Sequence, residues 1–427
     1  MKKKEIKIFI GLLEVAGYFS SLNEGFHELG IKSFFFQYWH RKYYNNGTLF
    51  MRCCQFVSST RMTNKIISIL FFPIDLFLRM IIFCWAIFYF NVFIYASTST
   101  FFWYKELWLL KKMGKKIIFV FLGTESRPDY LSGNIINDLY LKKDEIKNIE
   151  ECVKNTLIKK NNISKIEKYA DICINHPPCA FFQTKPYIKW LYIGFPFSEK
   201  EINKIIKYKK KKPNRNVNIL HAPSNPKTKG TKIISEIIGK LKNEGKKIDY
   251  IELIDLSNTE VLELIGKCDF VIDELYSDIP IGRLGVETAF AGKTIVNAGY
   301  YGEFINKDYD KEVIPPTIYC EPSKIENEIR LLISDYNLRS KSGKKNYEFV
   351  LNNWKAKDVA NRYINIIKNN IPKIWFGDPY DLHYIYGYGQ SKEQLQKVID
   401  AIIYKKGIDG FGISDKPYLI KKLIFKC

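Results

Sequence analysis

The sequence lacks any paired cysteine motif. Its nine cysteines are scattered, no CxxC meets another CxxC or a matching pair of histidines, and Cys53 and Cys54 are adjacent. An odd, unpatterned set of this kind indicates reduced thiols in a cytosolic compartment and excludes a structural zinc site. No Asp-x-Asp closes a predicted strand and no metal-ligand cluster is visible, so no metal or other cofactor is expected. No pair of acids is placed by a recognisable pattern, which argues against a double-carboxylate hydrolase. Internal repeats and low-complexity runs are absent too. The opening MKKKEIKIFIGLLEVAG imitates a signal peptide, but Glu5, Lys7 and Glu14 interrupt it and no long apolar core follows. It reads as a first β-strand.

Acid is in short supply. The chain carries 45 Asp+Glu against 66 Lys+Arg, a formal net charge of +21. That balance favours anionic partners, although lysine interleaved with Ile and Asn, as in YKKKKPNRN, also fits plainly solvated side chains. The lysines follow no recognition-helix or aromatic-platform pattern, so nucleic acid is not the expected partner.

What is present suits two domains. At 427 residues, 46% hydrophobic and 15% aromatic, the chain can bury two cores of about 200 residues each. Residues 66–97, IISILFFPIDLFLRMIIFCWAIFYFNVFIYAS, are long enough to span a bilayer, but Pro73, Asp75 and Arg79 split the run. The preferred reading is a helix from about Leu76 to Phe88 feeding a buried parallel strand, NVFIYAS. The aromatic and aliphatic excess of this helix would press into the interfacial layer of a membrane.

Strands and helices alternate along the rest of the chain. KIFIGL, SFFFQYW, NVFIYAS, KKIIFVF and DICINH read as strands of the first half, with helices between them. The charged stretch 195–216 reads as a linker. The pattern then restarts with NVNILHA, IDYIELI, DFVID and TIVNA. Such alternation implies parallel sheets in an α/β fold. The expected domains are 1–200, with a membrane-associating stretch near 66–90, and 201–370. A C-terminal extension, 371–427, is expected to pack back on the N-terminal domain.

Two loops could carry chemistry. In ILHAPSNPKTKGTKII (219–234) a strand, a polar loop and a helix start follow one another, with Ser224, Asn225, Lys229 and Gly230 in the loop. Backbone N–H groups, the helix dipole and the Lys229 ammonium suit a phosphate, and an ordinary solvated βα loop would look much the same. In DELYSDIPIGRLGVETAFAGKTIV (273–296) a strand runs through a loop into a helix that begins near Gly282 and carries Glu287. A carboxylate there can accept two ribose hydroxyls, and equally it could pair with Arg283 one turn earlier.

Together the two loops resemble the C-terminal domain of the "group 1" retaining GT-B glycosyltransferases. Lys229-Gly230 matches the family's Lys-Gly phosphate loop. Gly282, Glu287 and Gly292, with the small residues Ala289 and Ala291 between the last two, are similar to its Gly-x4-Glu-Ala-x-Ala-x-Gly-like run. The first strand with its turn at Gly17, the loop FLGTESR, and KIEKYADICIN are similar to N-terminal features of the same family, so the likeness covers roughly residues 5–370. The departures are Ile279 where many members carry a first Glu, Ser224 where many carry Arg, and no histidine in FIYASTS.

The resemblance implies two Rossmann-like domains with parallel sheets facing across a cleft, and sugar transfer, hexosyl-type and retaining, from a nucleotide sugar without a metal. Lys229 would hold the donor diphosphate and Glu287 its ribose, both counted as catalytic. Gly17, Ser224, Asn225, Gly230, Gly282 and Thr288 would line the donor site, and Glu125 and Arg127 the acceptor side. The basic balance and the aromatic stretch near 66–90 suggest a glycan or lipid-linked acceptor at the cytoplasmic face of the cell membrane, and by analogy a cell-envelope polysaccharide, capsule or lipopolysaccharide, as the product. The competing readings are a catalytically inactive assembly protein of the same fold and, less favoured, a basic nucleic-acid-binding protein.

Overall fold

The computed structural model describes residues 5–39, 47–133, 143–208, 216–254 and 256–426. In chain order the first elements are β1 (Lys7–Leu12), α1 (Tyr18–Glu28), β2 (Lys32–Gln37), α2 (Leu49–Arg61), α3 (Lys65–Tyr89) and β3 (Val92–Ala96). Next come α4 (Glu106–Lys112), β4 (Lys116–Val120), α5 (Lys143–Tyr169), β5 (Ile172–Asn175), β6 (Tyr187–Lys189) and α6 (Glu199–Lys207). The pattern restarts with β7 (Val217–His221), α7 (Pro226–Lys229), α8 (Thr231–Asn243), β8 (Ile248–Glu252), α9 (Asn258–Lys267) and β9 (Phe270–Ile272). It continues with α10 (Arg283–Phe290), β10 (Thr294–Ala298), α11 (Ile305–Asp308), β11 (Ile318–Cys320), α12 (Ile325–Ser334) and α13 (Tyr336–Asn353). The chain ends with α14 (Ala356–Ile367), β12 (Phe376–Gly377), α15 (Lys392–Lys406) and α16 (Pro417–Lys426).

Two compact units result, each of the α/β class expected. The first comprises Met1–Ser126, Asn161–Ser198 and Lys355–Pro379; the second comprises Arg127–Lys160, Glu199–Trp354 and Tyr380–Cys427. The division therefore differs from 1–200, 201–370 and 371–427. One crossing, at Ser198–Glu199, falls beside the expected boundary. Residues 127–160 group with the second unit, and 355–370 with the first. The extension is shared, its residues to Pro379 going with the first unit and Tyr380–Cys427 with the second. Long-range packing drew these limits, which composition does not report.

The first unit is built on a seven-stranded sheet of order β12-β6-β5-β4-β3-β1-β2. Its pairs are parallel apart from the antiparallel edge pair β12–β6. β3, VFIYA, is buried at every position, as a central strand covered on both faces must be. α1 lies close on α14: a Cβ at Gly25 would stand 2.2 Å from the carbonyl oxygen of Ala356, so only glycine permits that approach.

α3 runs straight through Pro73, where the sequence suggested a break and a helix starting near Leu76. Pro73 gives up one backbone hydrogen bond, and its ring crowds the turn before it. Anchors on both sides hold the helix. Asn64 caps its start by accepting from the Ile66 N–H at 2.8 Å. Asp75, beyond the proline and buried, takes Arg61 of α2, Arg79 at 2.9 Å and the Tyr38 hydroxyl at 2.5 Å.

The second unit holds a five-stranded parallel sheet of order β11-β10-β9-β7-β8. Its core packs Ile219, Phe270, Ile272 and Val296 of the sheet against Ile234, Ile238 and Leu241 of α8 and Ile329 and Leu332 of α12. The stretch expected to be a linker holds α6, which buries Ile202 and Ile205. Its basic end, 209–215, lies outside the described residues. α13 and α14 are separated at Trp354 and Lys355.

Candidate functional site

In a parallel sheet, ligands favour the place where strand order reverses, because the loops leaving two neighbouring strands part there and open a crevice. In the second unit that place lies between β7 and β9, since β8 continues on one side of β7 and β9 on the other. The loops that leave these two strands are the two picked out in the sequence.

After β7, Asn225 caps α7, its side-chain oxygen accepting from the N–H groups of Lys227 at 3.1 Å and Thr228 at 3.4 Å. One turn later Gly230, at φ +72°, starts α8. Glycine is required there for two reasons. The conformation is left-handed, and an added Cβ would stand 2.5 Å from Leu275. The Leu275 N–H in turn donates to the Lys229 carbonyl at 3.1 Å, tying the two loops together by their backbones.

This tie sets Lys229 against two acids at the end of β9. Its ammonium bonds Asp273 Oδ1 at 2.7 Å and also Glu274 Oε1. Burial by itself would lower the Lys229 pKa; the charges of Asp273 and Glu274 outweigh it and hold the group well above the ordinary lysine value. Burial pushes the Glu274 carboxyl up against the pull of Lys229. The second oxygen of Asp273, Oδ2, is buried without a hydrogen-bond partner. It lies 3.4 Å from where a Cβ of Gly282 would be, at the start of α10, which no side chain caps.

The loop between β9 and α10 is stitched from behind. Asn297 of β10 accepts from the Glu274 N–H at 3.0 Å and donates to the Pro280 carbonyl at 2.9 Å. Asp278 forms a buried ion pair with Arg127. Ile279 stands where the family resemblance would set a first acid. The acids nearby are Asp273, Glu274 and Asp278, which the motif comparison passed over.

Glu287 is buried in α10. Its Oε1 accepts from Arg283 Nε at 2.8 Å and from Asn258 Nδ2 at 2.9 Å, and Arg283 also reaches Glu201 of α6 at 2.9 Å. The pair with Arg283 raised from the sequence is thus present. Thr288 is fully buried, and its hydroxyl donates to the Leu284 carbonyl at 2.7 Å within its own helix. Ser224 is exposed at the loop tip. Lys229 and Glu287 share no hydrogen bond; each is neutralised by its own set of partners. Among the described residues no group of three or more His, Cys, Asp or Glu is placed to hold a metal ion.

Two contributors escaped the sequence reading. His221, at the end of β7, has Nδ1 2.9 Å from the Ile272 carbonyl and Nε2 2.8 Å from the Thr231 hydroxyl. A carbonyl can only accept, so Nδ1 donates. Burial lowers the pKa of His221, and the neutral ring accepts from Thr231 at Nε2. The HA of ILHAP was the available signal. The second contributor is the segment around Tyr388, for which sequence offered no account. Gly389 N–H donates to the Tyr276 carbonyl at 2.8 Å, and the Tyr388 hydroxyl lies 3.4 Å from Thr228 Oγ1, beside Lys229.

In the first unit the corresponding reversal of strand order lies between β1 and β3. Gly17, at φ +74°, precedes α1 as expected of a turn glycine. The start of that helix is filled by Glu14, whose carboxylate accepts from the N–H groups of Val15 at 2.8 Å, Phe19 at 3.1 Å and Ser20 at 2.9 Å. Burial raises its pKa to about 6, and those N–H bonds pull the other way. Glu125 belongs to this unit and accepts from the Gly123 N–H at 3.0 Å; Arg127 belongs to the second.

No family model matches the chain, and no curated protein matches it. Among solved structures it is similar to Anabaena Alr3699/HepE in complex with UDP, with a TM-score of 0.43 and 11% identity over 85% of this chain and 100% of that one. It is also similar to the catalytic domain of starch synthase IV from Arabidopsis thaliana bound to ADP and acarbose (TM-score 0.46, 9% identity, 86% and 99% covered). A glycosyltransferase from Rickettsia africae gives 0.42 and 13% over 86% and 99%. These likenesses fall below a TM-score of 0.5 and assign no residue a role.

Proposed function

We propose that the chain is a GT-B-type glycosyltransferase whose second unit binds a nucleotide-sugar donor at the β7–β9 reversal. One observation carries this reading: Lys229 sits on a glycine-dependent turn at that reversal, its backbone tied to the loop that leads to the uncapped start of α10. In the proposed reaction the bond from the sugar anomeric carbon to the diphosphate oxygen breaks, and an acceptor hydroxyl bonds to that carbon and gives up its proton to the departing diphosphate. The departing diphosphate carries the electron pair. Lys229 and the α10 dipole are the groups suited to stabilise that charge.

Glu287 is proposed to face the ribose. Gly17, Ser224, Asn225, Gly230, Gly282 and Thr288 remain donor-site candidates by family resemblance, and Glu125 and Arg127 acceptor-side ones. The same resemblance supports hexosyl transfer with retention, without a metal. The basic balance of the chain and the apolar stretch of α3 support a glycan or lipid-linked acceptor and a place in cell-envelope polysaccharide assembly at the cytoplasmic membrane face.

The test is a panel of nucleotide sugars scored by thermal shift, since a ligand of the folded state raises its melting point, followed by transfer assays of Lys229→Ala and Glu287→Ala. Stabilisation by a nucleotide sugar, with transfer lost in both variants, supports the reading. Full activity in both variants sinks the site assignment. A second reading is favoured by the saturation of the site: Lys229 is already neutralised by two carboxylates, and Glu287 by Arg283 and Asn258. A catalytically inactive binding protein of the same fold would show no transfer with any donor of the panel.

A further inference from the structure

The apolar excess of the chain is concentrated on one helix face. Along α3, Ile66, Leu70, Phe77, Ile81 and Phe88 recur at intervals of three and four residues or their sums, so they share one side. Ile66, Leu70, Phe77 and Phe88 are 69%, 67%, 62% and 81% exposed. The helix has 25 residues, about 37 Å of length, and α2 packed beside it adds Met62, 84% exposed, just beyond its end. Unpartnered apolar surface of this extent marks an interaction site.

The opposite side of α3 is committed to the first unit. Asp75, Arg79, Ile82, Phe83 and Ala86 are buried, and Arg79 also donates to the Phe101 carbonyl at 3.2 Å. Only Phe90 and Asn91 separate α3 from β3, an interior strand of the sheet. A helix fixed along one side and continuous with a central strand cannot cross a bilayer without drawing that sheet into lipid. It can lie along a bilayer surface, with the apolar stripe buried among acyl chains.

Charge selects the surface. From residue 29 to residue 105 the sequence has a single acid, Asp75, and that one is buried and paired. Arg52, Lys65 and Lys105 of this region are exposed. We infer that the α2–α3 face docks on an anionic lipid bilayer, with α3 lying in the plane of the interface. The inference is independent of sugar transfer, because its assay needs no activity, and either can fail alone.

The experiment sediments the full-length protein with vesicles of phosphatidylcholine plus phosphatidylglycerol, and with phosphatidylcholine alone. It compares the triple variant Leu70→Glu, Phe77→Glu, Phe88→Glu, whose sites are exposed and whose fold is checked by circular dichroism. Expected are binding to the anionic vesicles, weaker binding to the neutral ones, and a loss of roughly tenfold or more in the variant. Equal sedimentation of both proteins, or wild type left in the supernatant, overturns the proposal. A dimer in light scattering that the triple variant dissolves, without vesicle binding, assigns the face to a second copy. Resistance to high-pH carbonate extraction would overturn the in-plane placement.

Discussion

The two units reverse strand order in the same way and fill the reversal with opposite charge. In the first, Glu14 sits at the start of α1 and accepts from three backbone N–H groups. In the second, Lys229 sits before α8 and donates to two carboxylates of the β9 end. Topology sets where a crevice can open, and a few loop residues decide what it can take. A carboxylate already at the start of α1 occupies the place an anion would favour, whereas a lysine between two acids can exchange a partner for a phosphate. Function follows the site and not the fold.

The largest change expected comes from the second unit. Lys229→Ala leaves Asp273 and Glu274 buried side by side without their counter-charge. Removing one partner of a buried ion pair costs about 3 kcal/mol or more, read as a lower urea midpoint. Adding Asp273→Asn and Glu274→Gln should restore most of it; if the triple variant is no more stable than the single one, the ion pairs are not what the lysine contributes.

The next effect tests the first unit through pH. Burial raises the folded-state pKa of Glu14 from 4.5 to about 6, so the folded state holds this proton more tightly than the unfolded chain. The resulting stability is fully present below pH 4.5 and is lost as pH rises through about 6, amounting to about 2 kcal/mol. Glu14→Gln has no such titration. The stability difference, wild type minus variant, should therefore rise by that amount as pH falls across the window; a flat difference would mean that the N–H bonds cancel the burial.

The smallest effect is at Glu287. Glu287→Gln keeps a hydrogen-bond acceptor for Asn258 and removes the charge facing Arg283, a loss of about 1 kcal/mol. If Glu287 also meets the ribose, the variant loses nucleotide-sugar stabilisation in thermal shift as well. Unchanged ligand stabilisation would leave the residue a partner of Arg283 alone.

Several features were legible in the sequence because their causes are local. β3 reads as a continuous apolar run and is buried throughout, and Gly17 and Gly230 take the left-handed conformations their turns need. Pro73 misled, because two of the ties that hold α3 beyond it, from Tyr38 and Arg61 to Asp75, come from outside the helix. Tyr388 went unnoticed, since nothing near it in the chain signals that it will lie beside Thr228. The Arg127–Asp278 pair was missed likewise, its residues being 151 positions apart.

By itself the sequence determined the alternation of strands and helices, the parallel character of the sheets, the two loops that frame the candidate site, and the apolar stretch of α3. Periodicity, turn chemistry and composition act over a few residues, so they can be read without the fold. Tertiary structure alone decided the distant partners: Asp273 and Glu274 for Lys229 and Asn258 for Glu287. It also decided which side of α3 is left uncovered. These outcomes depend on which distant segments the closing chain brings within a few ångströms, where burial and Coulomb attraction set both the charge state and the exposed face.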